Sequence, residues 1–345
     1  MRNLTHTATM KAGVLQKPQV IELRDFAIPE PGEGEVRIKM EYLGICGSDV
    51  SIYLGHRVNT PFPLIIGHEG IGRIEKMGAG VSRFTMGQRV VIEPNFPCGH
   101  CALCWQGRGN ICPHKRIFGV LETGCFAEYA VVPAQFTWAL SDSIADEDAV
   151  LIEPLAVALH TLYTSTARPG DSIAVLGLGA IGLLLTQLAC RMGYRVMAYD
   201  RVEGKTALAL QLGAKAIPAQ TSAADLADLW QQAKVSSIFE CAGAAPALSM
   251  ALESAPRGAS VVVAGLADKP SAINEFSLTR QGQQVLSSII YQHPLDFQRT
   301  ITLLENGFVQ PRKIISARYP FEKLPAALEE AAAGLHSKII LHVYS

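Results

Sequence analysis

Residues 172–200 read SIAVLGLGAIGLLLTQLACRMGYRVMAYD, and the order of textures in this stretch decides the architecture. SIAVL is an apolar run of strand length, GLGAIG is a glycine turn, LLLTQLAC is apolar over helical length, and RVMAY is strand-like again. Strand, tight turn, helix and second strand make one parallel crossover unit. Within the turn, Gly177 permits the sharp bend, Gly179 lets the backbone come close to a pyrophosphate, and Gly182 lets the helix pack on the strand. Leu178, Ala180 and Ile181 complete the turn, so that a helix N-terminus meets negative charge. Asp200 ends the second strand, where a carboxylate accepts hydrogen bonds from the adenosine ribose hydroxyls and repels a 2′-phosphate. That favours NAD over NADP, although Arg201 beside it is the residue type that accommodates such a phosphate.

Further apolar runs follow the same rhythm. SSIFECAG (236–243) and SVVVAGL (260–266) read as buried strands alternating with Ala-rich helical stretches, which predicts a doubly wound parallel sheet over residues 155–290. Cys241, Ala242, Gly243 and Gly265 follow those strands, at the carboxyl ends where the nicotinamide half of a dinucleotide is expected. Upstream, residues 11–154 carry short alternating runs such as EVRIKMEY and QRVVIEP between PGEGE, GAG and NFPCG, which predicts a β-rich domain. The remainder, 291–345, offers helices at 297–305 and 324–333 and a terminal strand KIILHVY, and is expected to complete the first domain.

Composition removes several function classes. Thirty basic against thirty-one acidic residues, without a long run of Lys or Arg, argue against a nucleic-acid partner. No window approaches the roughly 18–20 unbroken apolar residues of a membrane span. The N-terminal MRNLTHTATM is polar, lacks the apolar centre of a secretory signal and reads as a short disordered tail, so a cytoplasmic location is expected. In that reducing compartment, closely spaced cysteines are metal ligands sooner than disulfides.

Such cysteines are present. Cys98, Cys101, Cys104 and Cys112 read CxxCxxCx7C within the segment CGHCALCWQGRGNIC. Four thiolates close a tetrahedron around Zn²⁺ with no open position, which makes the site structural; an iron–sulfur cluster uses the same ligands and is the alternative. His100 and His114 flank the set. A second donor group is scattered: Cys46 in GICGSD, His68 and Glu69 in GHE, and Glu153 in LIEPLAVALH. Thiolate, imidazole and carboxylate around one ion leave a position for substrate, as a catalytic metal requires.

The order GICGSD, GHE, CxxCxxCx7C, GCFAEYAVVP, EPLAVALH, GLGAIG resembles the zinc-dependent medium-chain dehydrogenase/reductase family, in its polyol branch with sorbitol and threonine dehydrogenases. The resemblance runs from Met10 to the C-terminus. It implies an α/β fold with a GroES-like β-rich catalytic domain and a Rossmann domain. It also implies a catalytic zinc among Cys46, His68, Glu69 and Glu153, and hence two zinc ions per subunit, with NAD as the cofactor. The implied reaction moves a hydride between a secondary alcohol and NAD. Its small-molecule substrate would be a polyol, sugar alcohol or sugar acid; a threonine dehydrogenase-like activity and a zinc-free reductase of the same superfamily are the alternatives. Ser48 resembles the hydroxyl that starts the family's proton relay, and Ser51 stands where relatives often carry His, leaving either water, cofactor ribose and Ser51, or else His56, to continue it. Tyr53, His56 and Phe118 are candidate substrate contacts, and Arg57 is a candidate for a substrate carboxylate. A homo-oligomer, a tetramer or else a dimer, is implied through the edge of the Rossmann domain.

Overall fold

The computed structural model describes residues 8–57 and 60–344, so most of the tail expected at the N-terminus lies outside the described residues. The chain divides into two compact units, one running to Glu153 and resumed from Ile315, the other spanning Pro154–Ile314.

In the first unit the strand Glu35–Ile45 is the organising element. Val36, Ile38 and Met40 alternate along it and are fully buried. The intervening Arg37 is also buried, matched by Glu75 at 2.5 Å and Glu30 at 2.9 Å. On one side this strand pairs antiparallel with Glu69–Met77, which continues to Arg89–Ile92 and Thr137–Ala139; on the other it pairs with Ile339–His342 and, through it, Ala317–Pro320. The terminal strand therefore belongs to the first unit. Its register sets Ile339 opposite Ile45 and His342 opposite Tyr42. The helix Leu324–Ala332 closes the core with Leu324 and Leu328, and Gly13 accommodates Leu324, whose side chain would lie 2.2 Å from any Cβ added there.

Residues 98–112 form a lobe with one four-residue helix, Ala102–Trp105, and a single 3₁₀ turn, Gly109–Ile111. Neither element contains a buried residue, so the lobe has no apolar core of its own. Its two ends are joined by a short ribbon, Asn95–Phe96 against Arg116–Ile117, and Phe96 stacks on Phe136 at 4.8 Å.

The second unit is a six-stranded sheet in the order Lys215–Ile217, Arg195–Tyr199, Ser172–Leu176, Val235–Glu240, Ser260–Val263, Gln284–Ser287, every neighbouring pair parallel. Every residue of Ser172–Leu176 is buried, so both faces of this central strand are covered. Strand order reverses beside it, which opens a crevice at the carboxyl ends of Ser172–Leu176 and Val235–Glu240.

The helix expected from residue 297 runs over Leu295–Glu305 and lies in the second unit, so residues 291–314 do not join the first one as expected. The reason is specific anchoring. Asp296 binds His160 at 2.8 Å and accepts the Gln292 N–H at 2.8 Å, and Phe297 meets Tyr291 edge-on at 4.9 Å. Among the described residues no helix is long and apolar enough to cross a membrane.

Candidate active site

Cys46 is the N-cap of the helix Gly47–Tyr53. Its backbone N–H donates to Asp49 Oδ2 at 2.8 Å, which pins both the cap and the Asp49 carboxylate. The other oxygen, Oδ1, lies 3.3 Å from Nδ1 of His68, and Asp49 is fully buried. A carboxylate behind one ring nitrogen orients the imidazole and leaves Nε2 for a ligand. Nε2 lies 3.5 Å from Oγ of Ser48. Burial alone would lower the proton affinity of His68, but the Asp49 charge, with Cys46 added, holds its pKa well above the ordinary value.

Glu69 follows on the strand Glu69–Met77, paired opposite Gly44. Gly44 is required there, because an added Cβ would lie 2.1 Å from Glu69 Oε2. Glu69 is fully buried and its Oε2 is bound by Nζ of Lys338, itself buried. Burial pulls the Lys338 ammonium down in pKa, but Glu69 foremost, then Cys46 and Asp49, raise it above its usual range. Glu153, in the first turn of Ile152–Thr164, is buried too; desolvation foremost, with Glu69 and Asp49 adding to it, pushes its carboxyl up to about 7 against the pull of His68 and Lys338.

Metal-ligand atoms of Cys46, His68 and Glu69 all lie within 4.8 Å of one another. Glu69 Oε1 is buried without a hydrogen-bond partner. An unsatisfied buried carboxylate oxygen close to a thiol and an imidazole fits a divalent cation, which is the group that would satisfy it. The structure thus brings together Cys46, Ser48, His68 and Glu69, with Glu153 close enough to sense their charges.

The four lobe cysteines converge as well. Sγ separations are 3.5 Å for Cys101–Cys104, 3.8 Å for Cys101–Cys112 and 3.9 Å for Cys98–Cys104. A tetrahedron with metal–sulfur bonds of about 2.3 Å has edges of about 3.8 Å, so the cage fits one zinc-sized ion rather than a multi-iron cluster. Crowding splits the thiols: N–H groups, His100 foremost, lower Cys98 to about 6, while desolvation foremost raises Cys104 to about 12. His100 turns its Nδ1 to the carbonyl of Cys98 at 2.8 Å.

In the second unit the glycine turn is built around a cradle. Gly177 has φ +89°, and a Cβ there would lie 2.5 Å from the Ala242 nitrogen. A Cβ on Gly182 would lie 1.9 Å from the Gly177 carbonyl, whereas nothing lies within 4 Å of one on Gly179. Open space at the N-cap of Ala180–Arg191, with the neighbouring positions closed, fits a pyrophosphate. Asp200 accepts the Leu178 N–H at 2.7 Å and the Val202 N–H at 2.8 Å, so its carboxylate is held firmly beside the turn. Glu240 does the same for the next loop, accepting from Ala242 at 2.8 Å and Gly243 at 3.0 Å. Gly265 lies against Gly243, with a hypothetical Cβ only 2.2 Å from the Gly243 nitrogen.

Two of the candidate substrate contacts are core residues. Tyr53 ends a helix and is 5% exposed, and Phe118 is 4% exposed beside Phe96. Arg57 is half-buried, and its carbonyl accepts from Thr60 Oγ1 at 3.2 Å. Ser51 and His56 share one turn, the His56 N–H donating to the Ser51 carbonyl at 2.9 Å. Sequence reasoning missed Asp49, Lys338 and Glu240. Asp49 had a local signal, an acid three residues after the N-cap; Lys338 had none, since a lysine before an apolar strand is ordinary.

Comparison with known proteins identifies the fold and the family. Residues 32–142 match the family model for the alcohol dehydrogenase GroES-like domain, and residues 180–306 match the zinc-binding dehydrogenase model. A sorbitol dehydrogenase of Bacillus subtilis is 30% identical over 99% of both chains. An alcohol dehydrogenase of Escherichia coli CFT073, solved with NADH, superposes with a TM-score of 0.90 at 31% identity, covering 97% of this chain and all of that one. A zinc-binding dehydrogenase of Sinorhizobium meliloti 1021, solved with NADP, gives a TM-score of 0.87 at 30% identity with the same coverage. The thiolate cage, the Cys46–His68–Glu69 cluster and the glycine cradle therefore sit on the fold of an alcohol oxidoreductase, and this chain belongs to the zinc-type medium-chain alcohol dehydrogenase family.

Proposed function

We propose that this protein is a zinc-dependent, NAD-linked dehydrogenase of secondary alcohols of the polyol, sugar-alcohol or sugar-acid class. The observation that carries the reading is the convergence of Cys46, His68 and Glu69 with an unsatisfied carboxylate oxygen among them. Cys46, His68 and one or both of Glu69 and Glu153 would hold the catalytic ion, and the four lobe thiolates a second, structural one. When bound, zinc lowers the proton affinity of a ligated substrate hydroxyl and oxidised nicotinamide accepts the hydride from its carbon. Asp49 fixes the ring of His68, and Ser48 Oγ, next to His68 Nε2, is placed to receive the hydroxyl proton. From there Ser51, on the same helix, or His56, in the turn that follows it, would carry the proton outward. Gly177, Gly179 and Gly182 admit the pyrophosphate, and the loops at 241–243 and 265, braced by Glu240, take the nicotinamide half. The sorbitol dehydrogenase relative supports the polyol class.

None of the eight cysteines is in a disulfide, in keeping with the cytoplasm. The exposed edge strand Gln284–Ser287, with Val285 on it, supports assembly into a homo-oligomer, for which we favour a tetramer.

The test is a panel of polyols, sugar acids and threonine offered with NAD and with NADP, following absorbance of the reduced cofactor. A secondary polyol or sugar acid with NAD is the expected pair. Exclusive turnover of threonine would replace the substrate class, and faster turnover with NADP would overturn the cofactor assignment. Asp200→Ala removes both the ribose acceptor and the clamp on the Leu178 N–H, so its KM for NAD should rise roughly 10- to 100-fold. The NAD-over-NADP ratio should collapse in the same variant.

A further inference from the structure

A groove of ≈ 800 Å³ opens on the second unit, and all of its lining belongs to that unit. Arg168 and Pro169 come shortly before the strand Ser172–Leu176, and Tyr194 immediately before Arg195–Tyr199, so the groove lies at the amino ends of the parallel strands. The dinucleotide crevice is at their carboxyl ends. Three guanidiniums line the groove, those of Arg168, Arg191 and Arg299, and no carboxylate does. Leu162 and Ala167, 1% and 4% exposed, add buried apolar surface to the same lining.

Each guanidinium is fixed by a contact that uses only part of its donor set. Arg191 donates through Nε to the Phe308 carbonyl at 2.9 Å and lies 5.4 Å from the centre of the Phe308 ring. Arg168 donates through Nη1 to the Ala167 carbonyl at 3.1 Å. Arg299 meets Asp296 through Nη1 at 3.3 Å and lies 5.7 Å from the centre of the Tyr163 ring. Among the described residues neither Arg168 nor Arg191 is ion-paired, since Asp171 accepts the backbone N–H of Arg168, at 2.8 Å, and not its guanidinium. Three like charges around one hollow repel one another, and its apolar walls focus their field on an incoming anion. Planar guanidinium forks match phosphate oxygens in pairs, and three of them call for more than one negative charge. The groove also presents aromatic surface: Tyr163, 50% exposed, lines it together with Tyr194 and Phe308. A ring face beside phosphate-binding forks suits a nucleobase.

We propose that this groove binds a nucleoside polyphosphate, with its phosphates on Arg168, Arg191 and Arg299 and its base against Tyr163. The site is separate from the one that takes the dinucleotide. Arg191 closes the helix Ala180–Arg191, whose other end, at Gly179, is the proposed pyrophosphate position. Twelve residues of helix, about 18 Å, separate the two, so both can be filled at once.

The experiment titrates ATP, inorganic triphosphate and adenosine calorimetrically into protein saturated with whichever reduced nicotinamide cofactor it binds, so that ATP is kept out of the dinucleotide crevice. ATP should bind this loaded protein, triphosphate about tenfold more weakly, and adenosine without measurable heat. R168Q/R191Q should weaken ATP and triphosphate alike, on the order of tenfold or more. Tyr163→Ala should weaken ATP about tenfold and leave triphosphate unchanged. R168Q alone, expected to weaken ATP about threefold, covers the case in which loss of the Arg191 bond to Phe308 unfolds the double variant. Failure of ATP to bind the cofactor-loaded protein overturns the site, as does affinity that ignores R168Q/R191Q, or R168Q where it stands in. Triphosphate binding as tightly as ATP, or a Tyr163→Ala variant with unchanged ATP affinity, overturns the nucleoside assignment.

Discussion

Cys46→Ser and His68→Ala should each lower kcat/KM by on the order of a thousandfold or more while leaving the circular dichroism spectrum unchanged. Lewis-acid stabilisation supplies several kcal/mol, and each 1.4 kcal/mol, roughly, is a factor of ten in rate. The fold survives because neither side chain holds a structural element together. Cys46 caps its helix through its backbone N–H to Asp49, a bond that serine retains, and the strand Glu69–Met77 is secured by eight backbone pairings of its partner rather than by the imidazole. Zinc content should fall from two ions to one per chain. Elemental analysis with steady-state kinetics on the best substrate of the panel checks both halves. Undiminished turnover in either variant would remove the catalytic metal from the mechanism.

The second large effect concerns the lobe. Cys101→Ser or Cys112→Ser should release the other ion and unfold residues 98–112 locally. Structural zinc contributes about 10–16 kcal/mol of apparent binding energy in small zinc modules, and here the short helix and 3₁₀ turn bury no side chain that could replace it. Arg108, exposed between those two elements, should become a fast tryptic site. The rest of the unit should stay folded, because the ribbon at Asn95–Phe96 and the Phe96–Phe136 stack anchor the lobe's base. Limited trypsin digestion with mass analysis gives the readout, and resistance at Arg108 after confirmed loss of the ion would show that the lobe holds itself. The two sets of variants thus separate the ions: one loses catalysis with its fold intact, the other loses local order.

Features whose physics is local were legible in the sequence. The GLGAIG turn needs its glycines within six residues, and the structure shows why at each: a positive φ and a close approach at Gly177, open space at Gly179, a carbonyl where a Cβ would be at Gly182. Thiolate spacings of two, two and seven residues let one loop wrap an ion without help from elsewhere. Donors scattered between positions 46 and 153 were readable only through the resemblance to a family, because nothing in the spacing of GICGSD, GHE and LIEPLAVALH says that they meet.

Other features had no local trace. The helix Leu295–Glu305 was legible as a helix, but its attachment to the second unit rests on Asp296 meeting His160, 136 residues away. Tyr53, a candidate substrate contact by sequence, lies in the core because Cys46 starts a helix that turns it inward. By itself the amino-acid sequence determined the two-domain α/β plan, the thiolate cage and the dinucleotide cradle, since periodicity, turns and short ligand spacings act over a few neighbouring residues. Only the tertiary structure decided that Lys338 confronts Glu69 across 269 residues of chain. That contact is created by the antiparallel pairing of the last strand with Glu35–Ile45, and a pairing register is a property of two distant strands together, which neither one encodes alone.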